Sequence, residues 1–362
     1  MKNTFGQNVA VTIFGESHGE YIGAVLDGLS PGILVNEEFI EAQLTKRRPS
    51  GKISTSRREK DKFIVASGVF HGKTTGTPIT ILIPNENTKS GDYEKTKSLI
   101  RPSHADYTAN CKYHGYEDFR GGGHFSGRLT APLVAVGAIA IDALKSKHIY
   151  IGTHIKSCGG IDDRDFIDIK EDINKLDLLE FPVLNEKSSD EMVNRITHVA
   201  EDGDSVGGIL ETAVIGMPKG VGEPWFDSIE SLLSHGLFSI PAIKGVEFGC
   251  GFDFAQMTGS KANDSFYTDG ENIYTKSNNN GGINGGITNG MPILFRCAVK
   301  PTPSIYKEQN TVDITTMKNA TLKINGRHDP AIIHRARVVV DSLTALTLCD
   351  VLETKFGIDY FM

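Results

Sequence analysis

A glycine triplet set among cations, leading straight into a long apolar run, constrains this chain most. Residues 99–131, LIRPSHADYTANCKYHGYEDFRGGGHFSGRLTA, hold Arg101, Lys112, Arg120 and Arg128, with His104, His114 and His124 among them and Gly121 to Gly123 in the middle. Residues 129–144 follow and read as a buried helix, since nearly every side chain there is apolar. A glycine-rich turn feeding a helix N-terminus presents free backbone N–H groups, which suit an anion. Arginines add forked donors that match phosphate or carboxylate. The stretch therefore predicts a pocket for an anionic, phosphorylated ligand. The alternative is a surface loop whose charges are merely solvated, but so many donors beside glycines favour close approach of a ligand to the backbone.

The net charge of −7 argues against a nucleic-acid or anionic-membrane partner. Local basicity within an acidic chain points to a small anionic substrate. A chain of 362 residues, 39% hydrophobic and 23% charged, can bury a full core as one large domain or as two. Cys111, Cys158, Cys250, Cys297 and Cys349 are scattered with no CxxC pair, so a disulfide framework and a zinc site are both disfavoured, and a cytoplasmic location is expected. The N-terminal MKNTFGQNVAVTIFGESHG lacks the run of a secretion signal, and no stretch reads as a membrane span.

Strands are predicted over residues 9–14, 21–26, 63–70, 77–83, 150–155, 207–216 and 291–299. Asn36 is placed to cap a helix whose first turn carries Glu37 and Glu38 and whose end is Lys46-Arg47-Arg48 before Pro49. That dipole contact alone could explain these arginines, although a second basic loop with Lys52, Arg57 and Arg58 follows. Residues 160–179 read as a surface excursion with some helix. A capping box, Ser188 with Glu191, predicts a helix over 188–199. A short helix is expected over 227–233 and an amphipathic one over 335–356. Residues 252–290, with SNNNGGINGGITNG, read as a mobile lid or binding loop. Strands and helices mix without a βαβ rhythm, giving an α+β chain, and no GxGxxG or Walker A motif supports a doubly wound nucleotide fold. A short echo joins TGTPI at 75–79 to NGMPI at 289–293, hinting at duplication.

Four clusters carry chemistry: GESHG at 15–19, the basic loop at 47–58, the opening stretch, and GRHDP at 326–330. His104-x-Asp106 and His328-Asp329 have the look of metal ligands, but the surrounding arginines would repel a divalent cation, so no metal is expected. Ser17 and His18 are adjacent and no GxSxG elbow exists, which disfavours a serine hydrolase. What survives is acid–base work by histidines on a phosphorylated substrate held by arginines. A non-catalytic module for phosphorylated ligands would need the arginines but not the histidines or Asp329.

GESHG, RPSHADYT at 101–108 with RGGGHFSGR at 120–128, and GRHDP, joined by KPTPS at 300–304 and AIKGVEFG at 242–249, resemble the signatures of the chorismate synthase family, in order and across essentially the whole chain. The resemblance implies one domain with a β-α-β sandwich, assembled as a homotetramer. It implies loss of phosphate and a ring proton from 5-enolpyruvylshikimate 3-phosphate, an anti-1,4-elimination giving chorismate, the last common step of the shikimate pathway. It also implies reduced FMN, with NADPH a candidate reductant and the choice between self-reduction and an external reductase open. By resemblance, His18, beside Ser17, matches the proton donor to the leaving phosphate. His104 matches the histidine near flavin N1, and Asp329 the aspartate that works with flavin N5. Arg47, Arg101, Arg128 and Arg327 match substrate arginines; Ser126, Ala242, Gly285, Lys300, Pro301, Thr302, Pro303 and Ser304 match flavin-contacting positions, as do Arg327 and Ser126 on the substrate border. Three departures stand out: His124-Phe125 replaces a common Arg-Ser at the flavin side, Lys52 a common arginine, and Pro241 a frequent asparagine.

Overall fold

The computed structural model describes residues 2–49, 53–54, 60–86, 97–324 and 328–362. Lys52, Arg57, Arg58 and Arg327 lie outside the described residues. The first sheet consists of β1 (Thr4–Phe5), β2 (Ala10–Gly15), β3 (Tyr21–Asp27), β4 (Ile64–Ser67) and β5 (Ile79–Pro84), antiparallel in the order β1-β2-β3-β5-β4. Its inner face follows from period-two alternation. Ile22, Ala24 and Leu26 pair directly with Ile83, Ile81 and Ile79, and all six are buried.

The second sheet holds β6 (Tyr150–Cys158), β7 (Ile161–Asp162), β8 (Gly208–Ile215), β9 (Ile243–Phe248) and β10 (Ile293–Val299), in the order β9-β10-β8-β6-β7. Leu210, Thr212 and Val214 face Cys297, Phe295 and Ile293 across β8 and β10, again fully buried. The TGTPI and NGMPI segments lead into β5 and β10, which are each second from one edge of their sheets.

The α-helices of the described residues are, in chain order, α1 (Glu37–Arg47), α2 (Asp106–Tyr113), α3 (Thr130–Ser146), α4 (Ile169–Leu178), α5 (Glu186–Glu201), α6 (Ile229–Leu237), the single turn α7 (Gly259–Ala262) and α8 (Ile333–Phe356), of which α3 and α8 form the layer between the sheets. The helix α3 packs on β3 and β5, α8 packs on β6 and β8, and the two helices pack on each other. This is the β-α-β sandwich expected. No side chain caps the start of α3. Burial holds it instead, at roughly 1.5–3 kcal/mol for each enclosed Val, Leu or Ile, against about 1 kcal/mol for a cap. Gly137 brings the pair together: a Cβ there would stand 2.3 Å from that of Ser342 on α8.

Several expectations need correction. Residues Gly127–Ser146 are in fact long and apolar enough to cross a membrane, but 78% of that window is buried in the middle layer. The helix α8 is not amphipathic: it is buried almost all round, from Ile333 to Glu353. Its polar residues are spent inward, Asp350 accepting from the amides of Gln7, Asn8 and Val9 at 3.0, 2.7 and 2.9 Å, and Glu353 from Ser30. The cap of α5 is Asn185, which accepts from the Ser188 amide, so the helix begins before the predicted box. Residues 252–290 fold into a turn, α7 and two short hairpins, because Asp264 accepts from Ser277 Oγ, both Asn279 and Asn280 amides, and Asn280 Nδ2.

Candidate active site

The GESHG turn leaves β2 and docks on the glycine triplet. The Ser17 amide donates to the Gly123 carbonyl at 3.0 Å, and His124 Nδ1 donates to the Gly15 carbonyl at 2.8 Å. All three glycines have positive φ, which only glycine adopts without strain. A Cβ on Gly121 would stand 2.7 Å from His18 Nε2 and 2.9 Å from Ser17 Oγ; one on Gly122 would stand 3.3 Å from His104 Cε1. The triplet thus separates His18 from His104 by bare backbone. His124 thereby secures this turn to the end of β2.

Arg47, at the end of α1, and Arg128 are both buried, and both bind the buried carboxylate of Asp61. Arg47 contacts it at 3.2 Å and also donates to Thr130 Oγ1 and the Gly127 carbonyl. Arg128 adds Asn85 Oδ1 at 3.1 Å. Asp61 stands in the left-handed region at φ 47°, which Asp tolerates better than most residues.

On another wall, His104 Nδ1 lies 2.9 Å from Asp106 Oδ1, and Arg101 grips the same carboxylate through Nε at 2.8 Å and Nη2 at 2.7 Å. Burial alone would raise the Asp106 carboxyl, but the hydrogen bonds from Arg101 and His104 outweigh it and hold the group well below the usual carboxylate range. Lys300 Nζ donates to the Ser103 carbonyl at 2.5 Å, and its amide to the Ala242 carbonyl. Ala242 sits at φ 77°, an unusual conformation for alanine that orients this carbonyl.

Asp329 precedes α8 and is bound by Arg335 Nη1 at 2.6 Å, while Arg335 Nε donates to the Arg47 carbonyl at 2.8 Å. Next to it, burial, aided by the Arg101 charge, lowers the pKa of His328.

These groups surround a cavity of about 920 Å³, within the range of ligand sites. Arg47, His104, His124, Phe125, Ser126, Arg128, Ala242, Lys300, Thr302, Pro303 and Asp329 line it. His18 and Ser17 stand behind Gly121, which lines it too. Arg101 is drawn to Asp106 and does not line the cavity, and neither do Pro301 and the buried Ser304. Gly285 lies in the hairpin of Ile283–Asn284 and Ile287–Thr288, also outside the lining. Sequence reasoning missed Asp61 and Arg335 and weighed Asp106 only as a metal ligand. The H-x-D spacing was the available signal for Asp106; no sequence signal marks the other two. Among the described residues, no three His, Cys, Asp or Glu side chains gather as metal ligands.

A family profile described as "Chorismate synthase" matches residues 9–352. The chain belongs to the chorismate synthase family. A curated relative of that name from Dehalococcoides mccartyi is 45% identical over 361 residues, covering 99% of this chain and 98% of the relative. Another from Pyrococcus abyssi is 44% identical over 346 residues, covering 95% and 96%. A solved structure described as "Crystal Structure of Chorismate Synthase" aligns with a TM-score of 0.76 at 30% identity, covering 97% of this chain and 94% of that one. The chain is therefore an enzyme, a carbon–oxygen lyase acting on phosphates, and a non-catalytic phospholigand module finds no support. Chorismate synthase makes chorismate from 5-enolpyruvylshikimate 3-phosphate by anti-1,4-elimination, so the arginine-lined cavity has a substrate of matching charge.

Proposed function

We propose that this cavity performs that elimination with His18, His104 and Asp329 as its reacting groups and Arg47 and Arg128 as its anion holders. The observation that carries the reading is the meeting, around one cavity, of motifs that are far apart in the chain. One C–O and one C–H bond break, a C=C bond forms, and phosphate and a proton leave with no net redox change. Arg47 and Arg128 bind the substrate's phosphate and carboxylates, where buried guanidinium groups stabilise developing negative charge. His18 donates a proton to the departing phosphate oxygen. Asp329, oriented by Arg335, takes part in removing the ring proton.

The residues fit reduced FMN, which when bound supplies a transient electron and assists removal of the proton. Thr302 Oγ1 and Ser17 Oγ are buried with no hydrogen-bond partner among the described residues, as expected of groups awaiting a polar ligand. His104, His124, Phe125, Ser126, Ala242, Lys300, Thr302 and Pro303 would hold the flavin, with Pro301, Ser304, Gly285 and Arg327 assigned by resemblance. NADPH is the candidate reductant. We read the chain as one domain, cytoplasmic with free thiols, and tetrameric; exposed Trp225, Phe226 and Phe252 support burial against other copies. An anaerobic assay with reduced FMN and 5-enolpyruvylshikimate 3-phosphate tests the reading: chorismate is expected, and folded protein that forms none defeats it.

A further inference from the structure

The carboxylate of Asp106 opens α2 two residues after His104, and all of its described contacts go to two residues. Oδ1 accepts from His104 Nδ1 at 2.9 Å and Arg101 Nη2 at 2.7 Å; Oδ2 accepts from Arg101 Nε at 2.8 Å and the Arg101 amide at 3.0 Å. We propose that Asp106 is a positioning residue for the reaction, locking His104 as the Nδ1–H tautomer and leaving Nε2 as the ring nitrogen that exchanges a proton. This rests on the reading of His104 as a reacting group.

An ionised carboxylate only accepts, so the 2.9 Å contact requires a hydrogen on Nδ1. Arg101 Nη2 lies 3.1 Å from that same Nδ1, yet both are donors. Their shared acceptor is Oδ1, and neither bonds the other. The remaining ring nitrogen, Nε2, is then the atom that can accept or give a proton. His104 lines the cavity, and its Cε1 and Nε2 would stand 3.3 and 3.7 Å from a Cβ on Gly122. Which imidazole nitrogen carries the proton is set by the bond the other makes, and here that bond is to Asp106. The other titratable groups around this trio are Lys300, bonded to the Ser103 carbonyl, and His328, which feels Arg101.

The test compares the full chain with Asp106→Ala and Asp106→Asn. Long-range 1H–15N correlation of histidine-labelled protein, with His104 assigned by its loss in His104→Gln, reports the neutral tautomer directly. The wild type is expected as Nδ1–H and Asp106→Ala as mainly Nε2–H. For Asp106→Asn, which keeps the shape, kcat is expected to fall about tenfold or more with KM within about threefold, as for loss of an oriented proton-transfer group. An unchanged Nδ1–H tautomer in Asp106→Ala overturns the proposal whatever the turnover. So does an unchanged kcat in folded Asp106→Asn. A His104→Gln chain with wild-type turnover instead removes the reading of His104 on which the catalytic consequence rests.

Discussion

Gly121 and His18 leave no room for a methyl group between them: a Cβ on the glycine would stand 2.7 Å from Nε2 of the ring. The glycine also has φ +60°, which side chains rarely adopt. Gly121→Ala is therefore expected to cost about 1–2 kcal/mol of stability from backbone strain and to cut kcat at least about tenfold by displacing His18. Denaturant melts and steady-state assays measure both. Wild-type turnover in folded Gly121→Ala would exclude His18 as the proton donor.

Asp61 is the counter-ion for two buried guanidinium groups, with side chains of Arg47 and Asp61 only 7% and 0% exposed. Asp61→Asn leaves buried positive charge behind and is expected to destabilise by about 3–5 kcal/mol. Inorganic phosphate should then raise the melting temperature of Asp61→Asn more than that of the wild type, by preferential binding to the folded state. Equal shifts in the two proteins would argue against an anion site at these arginines.

Asp329→Asn keeps the size of the side chain and its contact with Arg335 while removing the charge. Turnover is expected to drop by about 10²–10⁴ with substrate affinity little changed. The comparison needs kcat together with equilibrium binding of the substrate, and unchanged kcat contradicts the role given to Asp329.

Two buried groups on α8 pull the pH profile of stability in opposite directions. Burial pushes the Asp341 carboxyl up to about 6, against the opposing pull of Arg337 and Thr153. The folded state then holds a proton that the unfolded state releases, so this contribution is present below the ordinary carboxylate range and is lost as pH rises through 6. Burial brings His334 down to about 4, so its contribution is present above the ordinary histidine range and is lost as pH falls toward 4. The two slopes oppose each other between pH 4 and 6. Asp341→Asn is expected to steepen acid destabilisation in that window, and His334→Gln to flatten it. Parallel profiles for both variants and the wild type would rule this out.

Gly137→Ala places a methyl group against Ser342 and is expected to cost about 1–3 kcal/mol by overpacking the central helices. Adding Ser342→Gly removes the opposing Cβ, so the double variant should recover part of the loss. Strictly additive losses would show that the two positions are not coupled.

Local signals in the chain were legible. Asn36 caps α1 as its spacing predicts, accepting from the Phe39 amide at 3.0 Å. The apolar run after the glycine triplet is α3, and the alternating strands appear within a few residues of their predicted limits. What could not be seen was pairing between distant segments. The polar residues of α8 look like a solvent face in sequence, yet Asp350 and Glu353 satisfy backbone and hydroxyl groups more than 300 residues away. Likewise, the RREKD run gives no hint that its aspartate neutralises Arg128, because that contact exists only once α1, β5 and the glycine turn are stacked. At the site, residue types and motifs announced an anion pocket, while the assignment of partners changed. Arg101, grouped by resemblance with the substrate arginines, also binds Asp106, a partner that no residue type announced.

The bonds from Asp350 to the first strands have a consequence for synthesis. The amides of Gln7, Asn8 and Val9 are made 343, 342 and 341 residues before their acceptor. The turn that leads into β2 therefore stays untied until α8 is made, and Arg335, the link between Asp329 and Arg47, arrives with the same helix. Closing a loop of that length before the contact can form is an entropic cost of the kind that slows folding.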